Sequence, residues 1–391
     1  MTEVQLLFLV LAFIYACECV CWLPAGAVAF RTWLGRRWRP VHPGTLLGNQ
    51  QGGLLLAHPL PPLGTLLLGN QLPLSLSPDA VLAFVASAIN PAGRPAQTAK
   101  LFRFDEIRGI DARGRKVLVN GELLLRASSP TYAAHLVEQM RQLREALPAA
   151  RAAAIRALQR QSLDTGAIEE RWQEFQKKAA VVQWLANGLI VFLFVLAPFL
   201  IWQLGLTSCW PVLAAGLLAF TGTIAWKFHG IHKAFYPAAE DPRFTHFLTM
   251  LLSPATAIRA GDVLSRPLLE PFHPLAVARV FCSSEAFADL ARSTLRELRH
   301  PALPECPRAE SIARATEAFW RARLQESIEA FLRQNGLDPA ALMRPPASAD
   351  AGCRSYCPRC LAQFDISEGA CEDCGGLKLA PFSPQGGELE G

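Results

Sequence analysis

The longest uncharged stretch of the chain runs from Ala179 to Trp226, and it constrains the fold more than any other feature. A hydrocarbon core of about 30 Å needs about 20 apolar residues per helical pass, so this stretch is long enough to cross a membrane twice. A hydrophobic content of 51% over 391 residues also exceeds what soluble domains usually show. The sequence therefore predicts an integral membrane protein.

Turn-forming residues interrupt the stretch near its middle and predict a helical hairpin. The two predicted membrane helices cover residues 179–204 and 209–226, and Pro198 predicts a kink in the first of them. The residues that predict the turn are Gly205, Thr207, Ser208 and Pro211.

A second apolar run, residues 4–23, is interrupted only by Glu18. No Lys or Arg precedes it, whereas a signal peptide needs a basic leading segment. We therefore interpret the run as a first membrane helix, which brings the number of spans to three. The alternative is a buried or re-entrant helix, in which Glu18 would need a partner.

Cations flank the predicted spans on one side only, and cytoplasmic loops carry such an excess of Lys and Arg. Their positions predict a multi-pass protein with its N-terminus outside and its C-terminus in the cytoplasm, with lipid as one partner. Leu and Ala runs, Pro-rich breaks and few lysines resemble a GC-rich bacterial coding bias, so the membrane is predicted to be a bacterial plasma (inner) membrane. The flanking cations are Arg31, Arg36, Arg37, Arg39, Arg171, Lys177, Lys178, Lys227 and Lys233.

Residues 40–147 predict a β-rich cytoplasmic domain closed by a helix. Asn120-Gly121 favours a type I′ hairpin turn inside the apolar segment 116–125, and Ser129 is a helix cap before a stripe of apolar residues. Strands followed by one helix over residues 45–147 resemble the small bacterial pleckstrin-homology-like domains. The resemblance implies binding to protein or lipid surfaces without catalysis.

The segments on either side of the hairpin predict helices. Residues 148–178 predict one connecting helix that continues to the membrane, and residues 227–343 predict a helical cytoplasmic or membrane-associated region. In the latter, apolar residues recur every three or four positions between Ile312 and Leu332, and Asn335-Gly336 predicts the end of that helix. Residues 344–352 predict a linker.

Histidines just inside the predicted membrane surface form a second candidate site, because His at i and i+3 can share a helix face as metal ligands do. No metalloprotease-type pattern accompanies them, so interfacial or packed histidines remain the simpler interpretation. The residues of this alternative site are His229, His232, Asp241 and His246.

The strongest motif comprises two C-x2-C pairs, Cys357 with Cys360 and Cys371 with Cys374. Each pair can point both sulfurs at one ion, and two pairs complete the tetrahedral thiolate shell that Zn²⁺ favours. Residues 353–382 thus resemble a compact four-cysteine zinc ribbon with rubredoxin-like knuckles. Structural zinc is predicted, with rubredoxin-like iron or a redox dithiol pair as alternatives.

The charge of the tail argues against nucleic acid as its ligand. Three cations face six carboxylates, and a metal with four thiolates adds about −2, so the tail should repel phosphate. The cations are Arg354, Arg359 and Lys378, and the carboxylates are Asp365, Glu368, Glu372, Asp373, Glu388 and Glu390.

The sequence therefore predicts a multi-domain α+β integral membrane protein with three spans, a β-rich domain, a helical region and a zinc ribbon. No catalytic motif is present, which favours a membrane-anchored scaffold or adaptor for cytoplasmic protein partners. The alternatives are a membrane-bound enzyme that uses the histidine site and a subunit of a transporter or channel. A pathway through three spans would require a homo-oligomer.

Overall fold

A computed structural model describes most of the chain. The described residues are 2–22, 39–41, 54–57, 65–68, 74–89, 95–127, 129–236, 243–258, 260–282, 284–300, 311–350, 352–374 and 376–382.

In the first part of the chain, the described residues form one helix followed by nine strands. Helix α1 spans Glu3–Trp22. The strands form three antiparallel sheets, in the orders β1-β2-β3, β4-β5-β6 and β7-β8-β9. Their bounds are β1 Arg39–Val41, β2 Leu54–Ala57, β3 Thr65–Leu68, β4 Leu74–Leu76, β5 Ala80–Ile89, β6 Pro95–Arg103, β7 Ile110–Arg113, β8 Lys116–Val119 and β9 Glu122–Arg126.

Two tight turns join the strands of the β7-β8-β9 sheet, and the pairing of β8 with β9 shifts by one residue between Val117 and Leu118. Gly114 has a φ of +56° in the turn before β8, and Asn120 and Gly121 have φ values of +53° and +83° before β9. Both central residues of a type I′ turn need positive φ, so the predicted Asn120-Gly121 hairpin is confirmed. Val117 and Val119 consequently point into the core.

Helix α2, Pro130–Glu145, closes this β-rich unit. The Ser129 hydroxyl accepts a hydrogen bond from the Tyr132 N–H, which confirms the predicted cap. Leu136, Met140 and Leu143 are buried against the strands, whereas Leu147, which follows the helix, is 76% exposed. Leu147 is exposed because it precedes the next helix, where the chain turns away.

The predicted connecting helix, 148–178, is divided in two. Helix α3 spans Pro148–Ser162, and α4 begins at Thr165. The Asp164 carboxylate accepts the Ala167 N–H and so starts a new helix, a signal that the uniform Ala/Arg/Gln composition concealed.

Two long apolar helices follow. Helix α4 spans Thr165–Val191 and continues through a π-helical turn, Phe192–Leu196, into α5, Ala197–Leu204; α6 spans Leu206–Phe235. The two continuous segments, 165–204 and 206–235, are long and apolar enough to cross a membrane.

Two details of this hairpin differ from expectation. The π turn ends just before Pro198, whose ring cannot fit the normal α-helical hydrogen-bond ladder. Gly205, with a φ of +73°, makes the whole connection, so Thr207, Ser208 and Pro211 lie inside α6. Pro211 lies beyond the first turn of α6, where it removes the N–H that would pair with the Thr207 carbonyl.

Glycines allow α4 and α6 to approach each other closely. A Cβ atom at Gly216 would lie 2.6 Å from Cζ of Phe192, and one at Gly188 would lie 2.9 Å from Cε1 of Phe220. The two phenyl rings lie 5.6 Å apart. On each helix, a glycine therefore packs against an aromatic ring of the other helix. Small residues permit this close approach.

We expect Gly216→Ala to destabilise the hairpin by about 1 to 3 kcal/mol, because the added methyl group overlaps the Phe192 ring. Gly222→Ala on the same helix is the matched control, since a Cβ there meets nothing within 4 Å. Thermal unfolding in detergent measures both variants. Equal midpoints for the two would contradict this packing.

Helix α1 packs beside the hairpin. The Glu3 carboxylate accepts the Leu206 N–H at 2.8 Å and so caps the first turn of α6. The Phe8 and Phe194 rings lie 6.4 Å apart. The beginning of α1 therefore lies next to the connection between α5 and α6.

The remaining helices form one core with α4 and α6. Helix α12 contributes to this core through Ile328, Phe331 and Leu332, and through Phe319 it contacts the core of the β-rich unit. The helices are α7 Arg243–Leu252, α8 Pro254–Ile258, α9 Ala260–Leu269, α10 Pro274–Phe281, α11 Ser284–Arg299, α12 Ser311–Gln334 and α13 Pro339–Leu342. Gly336, with a φ of +78°, ends α12 as predicted.

His273 caps α10 from a buried position. Its Nδ1 accepts the Leu275 N–H at 3.2 Å, while its Nε2 has no hydrogen-bond partner within the described residues. Burial lowers the pKa of His273 to about 4.

The unfolded chain, in which His273 titrates near 6.5, therefore binds a proton that the folded chain excludes. We expect this residue to cost about 1.4 kcal/mol of stability per pH unit as the pH falls from 6.5 towards 4. His273→Asn retains a capping acceptor and removes the titrating group, so unfolding of that variant should depend less on pH in this window. An unchanged pH dependence would contradict the assignment.

Candidate metal centre

The C-terminal unit is a small β structure that brings four cysteines together. Its strands are β10 Ser355–Tyr356, β11 Gln363–Phe364, β12 Ala370–Cys371, β13 Leu377–Lys378 and β14 Ala380–Pro381. They form two antiparallel sheets, in the orders β11-β10-β14 and β12-β13. One cysteine pair follows β10, and the other begins at the end of β12.

The sulfurs of Cys357, Cys360, Cys371 and Cys374 all lie within 4.8 Å of one another. The Cys360 and Cys371 Sγ atoms are 3.7 Å apart. Four thiolates at about 2.3 Å from a tetrahedral Zn²⁺ would be separated by about 3.8 Å. The predicted cysteines therefore form a group that could hold one metal ion.

The backbone of each knuckle turns sharply to aim its sulfurs inward. Leu361 has a φ of +62° and donates its N–H to the Cys357 carbonyl at 2.9 Å. Gly376, with a φ of +83°, donates to the Cys371 carbonyl at 2.9 Å. Positive φ at a bulky residue such as Leu361 is uncommon and strained, and it persists where the surrounding structure requires it.

The local electrostatics favour a thiolate at one position. Burial raises the pKa of Cys357, but hydrogen bonds from the backbone N–H groups of Cys360 and Arg359 outweigh burial and lower it overall. Burial and the neighbouring thiols raise the pKa of Cys360 and Cys374. Four thiols this close cannot all ionise unless a cation neutralises their charge. A bound metal ion supplies that cation, and its binding releases the thiol protons.

The apolar core of this unit is very small. Leu379 is buried beside the cysteines, and Phe364 and Leu377 pack against it in part. These few apolar side chains cannot offset the entropy that is lost when the segment becomes ordered. Bound metal would therefore have to contribute folding free energy. Zinc and iron both fit four thiolates, and neither would keep an open coordination position for a substrate.

The alternative histidine site is only partly described. His229 and His232 lie in the last turns of α6, where His232 stacks on Phe228 at 6.0 Å. His246 lies on α7, and Asp241 lies outside the described residues. Within the described part of the chain, the four cysteines form the one potential metal group.

Sequence patterns indicated the carboxylates around the metal group but not the exposed isoleucine among them. Ile366 is 48% exposed, and Asp365, Glu368, Glu372 and Asp373 are also exposed. Glu388 and Glu390, which were counted with them, lie outside the described residues. The exposure of Ile366 could have been predicted only if the register of the ribbon loop had been known.

Comparison with protein-family models, with curated proteins and with solved structures gave no significant match.

We expect the purified chain to contain about one metal ion, and Cys357→Ser with Cys371→Ser to remove it, because each knuckle loses one ligand. Cys353→Ser is the control, since Cys353 lies outside the metal group. Elemental analysis gives both the amount and the identity of the metal. Full metal content in the double variant would exclude this site.

Proposed function

We propose that the chain is a membrane-anchored scaffold or adaptor that recruits cytoplasmic proteins through its zinc ribbon and its β-rich domain. The observation that carries the proposal is a four-cysteine group without an open coordination position, next to an exposed acidic face with Ile366 in it. Such a group stabilises a docking surface and offers no site for catalysis.

The exposure of the two long helices supports membrane anchoring. Only 33% and 22% of their most apolar windows are buried, whereas the core helix of a soluble protein is mostly buried. Trp184 is 75% exposed and Trp202 is 74% exposed. Lipid is the medium that would cover this apolar surface.

The position of α1 supports a third span with the N-terminus outside. Glu3 lies beside Leu206, at the connection between α5 and α6, where no cations occur. Lys178 and Lys227 border the two ends of the uncharged stretch, away from this connection. A helix that starts beside the connection and crosses would end on the cation-rich, cytoplasmic side.

The acidic face supports a protein as the partner of the ribbon. Exposed carboxylates around the metal group repel the phosphates of nucleic acid. Exposed Ile366 supplies apolar area that could be buried on binding, and carboxylates around it would select a basic rim on the partner.

The architecture of the β-rich unit supports its resemblance to pleckstrin-homology-like domains. Two three-stranded antiparallel sheets, β4-β5-β6 and β7-β8-β9, are followed by helix α2, which contacts β7 and β8. In such a fold, function depends on what the surfaces bind.

The test is co-purification of the tagged full-length chain from its native membrane in mild detergent, followed by mass spectrometry. We expect a stoichiometric protein partner that is lost in Asp365→Asn, Ile366→Ser, Glu368→Gln, because these changes remove the docking face and leave the cysteines intact. Metal content confirms that the ribbon of this variant remains folded.

The matched control is Glu169→Gln with Glu170→Gln, which removes two exposed carboxylates on α4 outside the ribbon. This control should retain the partner. A partner that survives both the triple variant and deletion of residues 345–391, or the lack of any stoichiometric partner, would reject the adaptor function.

A further inference from the structure

A row of cations crosses one end of the β7-β8-β9 sheet. Arg113 lies directly opposite Lys116, and Lys116 lies directly opposite Arg126. Directly opposite residues point to the same face of a sheet, with Cβ atoms about 5 Å apart. All three side chains are exposed. We call Arg113, Lys116 and Arg126 the cation row.

No carboxylate in the described part of the chain pairs with the row. Its members form no ion pair with another described residue, and the nearby Asp111 carboxylate is paired with Arg141 at 3.1 Å. Arg115, in the adjoining turn, adds a fourth exposed cation, and its Nε donates to the Ala127 carbonyl at 3.0 Å. Like charges placed directly opposite one another destabilise a sheet, so an external anion bound here would stabilise the row.

A path of contacts joins the end of β9, where the row ends, to the membrane hairpin. Three residues after Arg126, the Ser129 hydroxyl donates to the carboxylate of Glu270, just after α9. Earlier in α9, the Leu264 carbonyl accepts from the Tyr236 hydroxyl at 2.6 Å, and Tyr236 directly follows α6. Short contacts thus connect the row to the end of a proposed membrane helix.

Helix α4 gives the scale of the remaining distance. The Arg171 guanidinium lies over the Phe272 ring, beside Glu270, and the Lys178 ammonium lies over the Phe235 ring at the end of α6. Seven residues of α-helix rise about 10 Å, so Arg171 and Lys178 are separated by about 10 Å along α4. Charges at the level of Arg171 therefore lie within about one Debye length of the level of Lys178 at moderate salt.

The outer face beside the row is partly apolar. Leu118 and Leu123 lie next to the cations and are half-buried. Cations beside leucines fit the boundary between headgroups and acyl chains better than the fully hydrated surface of an acidic soluble protein.

We propose that the cation row, Arg113, Lys116 and Arg126, binds the anionic phospholipid headgroups of the membrane in which the chain is anchored. Binding would hold the β-rich unit against the bilayer and would leave the acidic ribbon free for proteins. This inference rests on the membrane anchoring proposed above. Its experiment separates the two, because insertion and headgroup contact are read independently.

The test is hydrogen exchange by mass spectrometry on the full-length chain in lipid nanodiscs. We expect amides of residues 113–116 to exchange about tenfold more slowly in discs with phosphatidylglycerol than in pure phosphatidylcholine discs. The difference should vanish in Arg113→Gln, Lys116→Gln, Arg126→Gln and at 1 M salt, where the Debye length is about 3 Å.

The control is Arg314→Gln, Arg344→Gln, Arg354→Gln, which removes three exposed cations outside the β-rich unit and should keep the lipid effect. Loss of folding does not confuse the result, because removing the row relieves repulsion. The row variant should melt at the same or a higher temperature than the native chain in neutral detergent. In discs with phosphatidylglycerol, the row variant should melt at a lower temperature than the native chain.

Each outcome decides one claim. Failure of the chain to enter nanodiscs would overturn the membrane anchoring itself. Insertion with equal exchange at residues 113–116 in neutral and anionic discs would overturn headgroup binding alone. A lipid effect that the control variant also loses would show unspecific attraction and would likewise overturn the role of the row.

Discussion

A buried hydrogen bond between Ser129 and Glu270 joins the β-rich unit to the helices. The Ser129 hydroxyl caps α2 and at the same time donates to Glu270, which is 2% exposed. A carboxylate at the N-terminus of a helix is favoured by the helix dipole, and a buried carboxylate is tolerated only where it is hydrogen-bonded. Removal of either group would leave a buried polar atom uncompensated, so the contact holds the interface in one arrangement.

Local chemistry predicted the turns and ends of individual elements. The Asn120-Gly121 hairpin and the end of α12 at Gly336 follow from residues that accept positive φ, and the cap of α2 follows from one hydroxyl. The four cysteines were equally predictable as a possible metal group, because thiolate chemistry leaves few other uses for two C-x2-C pairs. In each case the cause lies within a few residues of the effect.

Contacts between distant segments were not predictable in the same way. The division between α3 and α4 depends on one capping carboxylate, Asp164, in a segment whose composition is helical throughout. The placement of Phe192 over Gly216 and of Ser129 on Glu270 depends on which faces meet, and periodicity does not encode that. The number of spans likewise depends on what α1 packs against, whereas hydropathy reports only that it is apolar.

Helix α12 contributes to two cores at once. Its first half packs on the β-rich unit, where the hydroxyls of Thr316 and Ser77 lie 3.0 Å apart, and its second half packs among the other helices. Because the same helix packs in both cores, its displacement would expose apolar surface in both. The two regions should therefore unfold in one cooperative transition. A force applied to the surface of the β-rich unit would be transmitted to the other helices through α12.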